Sequence, residues 1–215
     1  MKAIAINGSP RKTWSTATLL EKGLEGAKSK GAATEMIHLY DLTYKGCTSC
    51  FACKRKDGNH LGKCAMKDDL TSVLDAITAC DVLLLGSPMY CGDVTGEMHS
   101  LLERLLFSSM TYNRNGGSVF RGRAASGFIY TMNYQEEVMQ TYTNYKSLFL
   151  SYQNFLGLLK GPSEYLLACD TLQFDDYSKY EASMFDEAHK LRMRREQFPK
   201  DCQKAFNLGA RLATY

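Results

Sequence analysis

The 215-residue sequence contains no apolar run approaching the roughly 20 residues that cross a bilayer, so no membrane span is expected. It also lacks an excess of charge of one sign. Lys and Arg number 26 against 23 Asp and Glu, a net charge of +3, too slight to make nucleic acid or an anionic membrane the main partner. There is no internal repeat and no low-complexity tract. With 45% hydrophobic and 23% charged residues, the composition is that of a globular chain and excludes a largely disordered, collagenous or coiled-coil one. A chain of this length buries a single core without staples, so one compact α/β domain is expected.

Two further scarcities narrow the chemistry. The four histidines (His38, His60, His99 and His189) are scattered without a spacing that pairs them with a nucleophile or a metal, and each reads as exposed or locally satisfied. No catalytic side chain is named on this basis. Met1-Lys2 is followed by only Ala3-Ile4-Ala5-Ile6 before the turn cluster Asn7-Gly8-Ser9-Pro10, too short for a secretory h-region, so a cytoplasmic, reducing compartment is expected. What the sequence has in excess is cysteine. Eight occur, at 47, 50, 53, 64, 80, 91, 169 and 202, with the first four crowded into one short stretch. In a reducing compartment such crowding points to metal or redox chemistry rather than to bridges.

Along the chain, residues 2–6 form an apolar run that stops at the turn cluster, and a helical pattern starts after Ser15-Thr16, with Leu20, Gly23, Leu24 and Ala27 on one face. Residues 34–39 read as a second strand. Residues 42–68 have no usable period and hold the cysteine cluster, an inserted loop. Leu70, Val73, Leu74 and Ile77 then recur at helical spacing, and residues 81–85 make the continuous apolar run of a doubly covered parallel strand. A helix over about 95–107, a strand near 124–130, a long helix over 135–160 interrupted at Gly157, and a fifth strand at 165–168 follow. The charged tail, 177–215, reads as two helices split near Phe198-Pro199. Residues 1–175 are thus expected to form one domain and 176–215 a helical extension rather than an independent one.

Five strands alternating with helices imply a parallel sheet with right-handed crossovers. The first loop selects the winding. Residues 7–18 (NGSPRKTWSTAT) contain neither Gly-x-Gly-x-x-Gly nor a P-loop. They supply hydroxyls instead: Ser9, Thr13, Ser15, Thr16 and Thr18 surround Arg11 and Lys12 just before a helix start, where free N–H groups and the helix dipole favour a phosphate. A phosphate held this way suggests FMN. The expected fold is therefore flavodoxin-like, a three-layer α/β sandwich with strand order 2-1-3-4-5 and helices on both faces. In that order the loops after strands 1, 3 and 4 converge, and Gly86-Ser87-Pro88-Met89-Tyr90-Cys91-Gly92-Asp93 and Thr131-Met132-Asn133-Tyr134 suit the flat end of a flavin, with Tyr90 and Trp14 as aromatic surface.

These residues resemble a family. Asn7-Gly8-Ser9-Pro10-Arg11 followed by Ser15-Thr16-Ala17, then Ser87-Pro88-Met89-Tyr90 leading into an amphipathic helix ending in Glu103-Arg104, is similar to the NADPH-dependent FMN reductase and iron-sulfur flavoprotein branch of the flavodoxin-like superfamily. The resemblance covers residues 1 to about 134 and, more loosely, the strand near 165. It implies that Ser9, Arg11, Ser15, Thr16 and Ala17 hold the FMN phosphate, that Pro88, Met89, Tyr90, Cys91, Gly92 and Asp93 line the ring, and that Thr131 and Asn133 close its far side. The chain departs from the family in having Ser15 where Asn is common and Cys91 where a bulky residue is frequent. Cys91 is either a redox thiol beside the flavin or a small packing residue.

Cys47-x2-Cys50-x2-Cys53, with Cys64 beyond, places thiols within one loop, and four thiolates suit a [4Fe–4S] cluster or a zinc ion. The successive x2 spacing is more typical of iron–sulfur ligation, and iron-sulfur flavoproteins resemble this chain in placing a four-cysteine motif after the second strand, though with a shorter last gap. Unligated, reduced thiols are the other reading. Lys45, Lys54, Arg55, Lys56 and Lys63 either offset a cluster's charge or form an ordinary solvated patch. Cys80, Cys169 and Cys202 read as packing or surface residues.

The expected activity is FMN-dependent oxidoreduction, from NAD(P)H or a ferredoxin-like donor to a quinone, flavin or other small acceptor. The alternatives are an iron-sulfur flavoprotein that relays single electrons between proteins and a structural zinc protein on the same scaffold. The aromatic-rich stretch 142–159 is either a homodimer surface or a core helix.

Overall fold

The computed structural model describes residues 1–56 and 58–215; residue 57, within the cysteine-rich loop, lies outside the described residues. Five strands, β1 (Lys2–Asn7), β2 (Ala33–His38), β3 (Val82–Pro88), β4 (Ala124–Thr131) and β5 (Lys160–Ala168), form one parallel sheet in the order β2-β1-β3-β4-β5, the winding expected from the sequence. The helices are α1 (Ser15–Lys28), α2 (Leu70–Thr78), α3 (Gly96–Ser109), α4 (Glu136–Tyr142), α5 (Tyr145–Leu156), α6 (Glu187–Glu196) and α7 (Phe198–Leu212). No helix among the described residues is long and apolar enough to cross a membrane.

Strand alternation divides the core into two layers of different character. Ile4, Ile6, Leu83, Leu85, Phe128 and Tyr130 point to the face covered by α2, α3 and α5. Their neighbours Ala3, Ala5, Val82, Leu84, Ala125 and Ile129 point to the face covered by α1 and α7. The second face is lined by smaller residues, and the helices above it come correspondingly close. A Cβ on Gly209 of α7 would lie 1.8 Å from the carbonyl oxygen of Gly23, and one on Gly26 of α1 would lie 1.9 Å from that of Phe206. The two helices touch backbone to backbone there. The C-terminal helix is thus part of the layer that covers the sheet, with Ala205, Leu208 and Leu212 buried.

Two elements differ from the sequence expectation. The long helix expected over 135–160 is broken at Thr143-Asn144 rather than at Gly157. Thr143 is extended, and its hydroxyl donates to the Met139 carbonyl at 2.5 Å, taking the acceptor the helix would have used. Gly157 only tightens the chain into a 3-10 turn. The fifth strand begins at Lys160, not near 165. Gly161-Pro162 sit at a register shift opposite Ala124 and Ser126, where an edge strand tolerates a residue without an N–H. On α5, Phe149, Tyr152 and Leu156 are buried while Leu150 and Phe155 face outward, so the stretch 142–159 is a core helix with an apolar outer edge; the side chain of Tyr142 lies outside the described residues.

Because the α1–α7 contact has no room for a side chain, Gly209→Ala is expected to lower unfolding free energy by about 1–3 kcal/mol through overpacking, measured by urea denaturation. A variant as stable as the parent would show that the two backbones are not in contact.

Candidate functional site

Asn7, fully buried at the end of β1, organises the first loop. Its Oδ1 accepts from the Ser9 amide at 3.0 Å, its amide nitrogen lies 3.0 Å from His38 Nδ1, and Ser9 Oγ in turn accepts from the Arg11 amide at 3.1 Å. Gly8 is clamped between strands: its N–H donates to Gly86 at 2.8 Å and its carbonyl accepts from the Thr95 hydroxyl at 2.7 Å. The loop is therefore rigid where it meets α1. At that helix start Trp14 occupies the cap position in extended conformation, no side chain caps the first turn, and no acidic residue lies in it. The amides of Ser15, Thr16 and Ala17 are left free among the described residues, beside the nearly buried hydroxyls of Ser9 and Ser15. Free amides at the positive end of a helix dipole form an anion site.

Across the cleft, β3 and β4 end side by side. The Met89 amide donates to the Thr131 carbonyl at 2.9 Å, and the hydroxyls of Thr16 and Thr131 lie 2.7 Å apart, tying the first loop to the end of β4. Tyr90 and Asp93 exchange backbone hydrogen bonds of 2.7 and 3.1 Å around Cys91 (φ 50) and Gly92 (φ 92), a type I′ turn in which both central residues are left-handed. Gly92 adopts this without cost; Cys91 does so under strain. Cys91 is exposed and lines the cleft, so it is not the packing residue that was one of its two readings. Asp93 turns away. Its carboxylate accepts from its neighbour Val94 at 2.7 Å and from the Tyr152 hydroxyl at 2.9 Å, and burial together with this carboxylate pushes the Tyr152 phenol well above its ordinary range.

The cleft has a volume of about 290 Å³, near the lower end for small-molecule sites. It brings together Ser9, Arg11, Ser15, Thr16, Pro88, Met89, Tyr90, Cys91, Thr131 and Asn133. Three expected residues are off its lining: Ala17, whose side chain is in the α1 core layer, and Gly92 and Asp93, at the far side of the turn. A third wall, Thr171, Leu172 and Gln173 after β5, carried no composition signal, although the strand order places its loop at this edge of the sheet. This wall is fastened to the first loop. Arg11 donates to the Gln173 carbonyl at 2.6 Å and stacks over Trp14, whose indole donates to the Leu172 carbonyl at 3.0 Å. Arg11 thus bridges the two loops at the cleft mouth.

The cysteine loop forms a second centre along α3. Cys47, Cys50, Cys53 and Cys64 line one small cavity with Arg104, Phe107 and Ser108. Ser49 and Phe51 are left-handed (φ 53 and 56), the Cys47 amide donates to Glu103 at 2.9 Å, and burial pushes the Cys53 thiol up. Among the described residues no three histidine, cysteine or acidic side chains are grouped so as to hold a metal ion. The donor set and the charge nevertheless fit a thiolate-bound group. Arg104 has no exposed side-chain surface; its Nη1 donates to Asp68 at 2.5 Å and to the Lys45 carbonyl at 3.1 Å, and its guanidinium also meets the Cys64 thiol. Arg104 is the buried cation lining this cavity, and the half-buried Lys54, which donates to the carbonyls of Phe107 and Met110, also acts on Cys53 and Cys47; Lys63 pairs away, with Asp75 at 2.6 Å.

Among curated proteins, an iron-sulfur flavoprotein from Archaeoglobus fulgidus is 39% identical over 127 residues, covering 59% of this chain and 60% of that protein. One from Methanocaldococcus jannaschii is 34% identical over 130 residues, covering 59% and 65%. The matches thus span less than two thirds of these relatives. Among solved structures, an NAD(P)H:quinone oxidoreductase from Methanothermobacter marburgensis superposes over 98% of both chains with a TM-score of 0.72 at 12% identity. An azoreductase from Bacillus anthracis does so over 98% and 99% with a TM-score of 0.63, also at 12% identity. These two share the fold. The sequence pattern of NADPH-dependent FMN reductases matches residues 1–152, which include the first loop, the turn at 90–93 and the end of β4. The chain belongs to the NADPH-dependent FMN reductase family.

Proposed function

We propose that this protein is an FMN-dependent oxidoreductase that takes electrons from NAD(P)H or a ferredoxin-like donor and delivers them to a small acceptor such as a quinone or a flavin. The observation that carries the reading is the uncapped start of α1, with free amides and buried hydroxyls at one end of a cleft whose other end is a left-handed turn. Bound FMN supplies exchange of two electrons with a nicotinamide and of one or two with an acceptor. The chain supplies position. Ser9, Ser15 and the first-turn amides of α1 receive the phosphate, Arg11 adds a cation at the mouth, and Pro88–Cys91 with Thr131 and Asn133 border the ring. Eight free thiols among the described residues support a reducing, cytoplasmic setting, and the exposed Leu150 and Phe155 on α5 support pairing with a second copy.

The cysteine cavity favours a further reading of the same protein: Cys47, Cys50, Cys53 and Cys64 hold an iron–sulfur cluster, supported by the buried Arg104 that lines the cavity beside them and by the likeness to iron-sulfur flavoproteins. Such a group supplies single-electron exchange, which suits a relay between protein partners. Fast reduction by ferredoxin with slow oxidation of NAD(P)H would favour that relay over small-molecule turnover.

Two measurements test these assignments. Ser15→Ala is expected to weaken FMN binding by about tenfold to a hundredfold, the worth of one hydrogen bond to a charged group, and to leave riboflavin affinity unchanged. Equal loss for both ligands would mean that Ser15 does not meet the phosphate. Anaerobic iron, sulfide and zinc analysis of the protein is expected to find about four iron and four sulfide per chain. Zinc without iron, or no metal, would remove the cluster from the account.

A further inference from the structure

Behind the flavin cleft, α6 of the charged C-terminal extension buries a charged group. Lys190 and Asp170 are each 4% exposed. Lys190 Nζ donates to Asp170 Oδ1 and, at 2.6 Å, to the carbonyl of Asn133, and it lies 5.5 Å from the Phe185 ring. The second Asp170 oxygen meets His189 Nε2 at 2.5 Å, while His189 Nδ1 lies 2.9 Å from Arg192 Nη2. Because a guanidinium only donates, His189 Nδ1 accepts, which leaves the Nε2 hydrogen to donate to Asp170. Asp170 is itself left-handed (φ 57), a conformation that persists in a non-glycine residue only where its surroundings enforce it.

Lys190, Asp170 and the adjoining Thr171 grip the cleft loop by three consecutive carbonyls. Met132 accepts from the Thr171 amide at 3.0 Å and its hydroxyl at 3.1 Å, Asn133 accepts from Lys190, and Tyr134 accepts from the Asp170 amide at 2.7 Å. In a trans peptide the next N–H points opposite to the carbonyl. The amides of Asn133 and Tyr134 are therefore turned away from β5 and α6, and among the described residues they donate to nothing. Asn133 lines the cleft.

We propose that Lys190 and Asp170, steadied by His189, are positioning residues for the flavin: by holding the Asn133 and Tyr134 carbonyls from behind, next to the Met132 carbonyl that Thr171 holds, they present the Asn133 and Tyr134 amides as preformed donors to an acceptor atom of the bound ring. None of the three lies within residues 1–152 matched by the family. The inference rests on the FMN reading above. It assigns the α6 segment a part in cofactor binding.

The test compares Lys190→Met, Asp170→Asn and the double variant by FMN titration of the apoprotein and by thermal unfolding. Each single variant leaves one buried group unpaired and is expected to lose both stability and FMN affinity. The double variant removes both charges and is expected to regain most of the lost Tm, while its Kd for FMN stays raised by about tenfold or more because the Asn133 carbonyl has lost its donor. A double variant that binds FMN as tightly as the parent overturns the proposal. Hydrogen exchange on the parent needs no variant: the Asn133 and Tyr134 amides are expected to exchange rapidly in the apoprotein and to slow by about tenfold or more when FMN binds, as amides that gain a hydrogen bond do. Amides whose exchange FMN does not change overturn it equally. A parent that binds no FMN overturns both this inference and the reading it rests on; a parent that binds FMN with an affinity the variants share overturns the inference alone.

Discussion

The close approach of α1 to the sheet and to α7 is the contact on which the site depends. Gly23, Gly26 and Gly209 remove the side chains that would hold the helices apart, and Ala3 and Ala5 lower the sheet surface beneath them. With α1 seated this deeply, its N-terminus is fixed against the end of β4 through the Thr16–Thr131 hydroxyl pair. A helix start held in this way costs little to organise when an anion arrives, because the amides are already aligned. The loops that complete the cleft add shape, but the anion end is set by helix packing.

Much of this was legible in the sequence because it follows from periodicity and turn chemistry. The parallel sheet followed from apolar runs alternating with helical patterns, and its strand order from the first loop, where hydroxyls and no glycine-rich fingerprint precede a helix. The break at Thr143 was not, since it depends on a side chain capturing a carbonyl within an otherwise helical pattern. Nor was the wall at 171–173, whose residues have no distinctive chemistry and matter only because β5 delivers them beside β4. Asp93 was expected at the ring with the rest of its loop, yet a tight turn sends its carboxylate to Tyr152, and Ala17 keeps its amide at the helix start while its side chain enters the core.

Burial separates the charged groups that do structural work from those that do not. Five basic residues near the cysteines drew attention by number, whereas the buried cation lining that cavity is Arg104, delivered from α3 by the fold. The charged tail likewise contributes Lys190, one of the most buried ionisable side chains among the described residues. A desolvated charge persists only when partners hold it. In both cases the partners belong to loops bordering a proposed redox group, so the interior charges brace the two centres from behind.

The central claim is that FMN sits with its phosphate at the start of α1. Phosphorus NMR of the holoprotein tests this most directly, because a phosphate monoester free in water takes up a proton near pH 6. A dianion held by the Ser15–Ala17 amides and the neighbouring hydroxyls is expected to keep one chemical shift from pH 8 down to pH 5. A resonance that titrates as free FMN does would contradict the account.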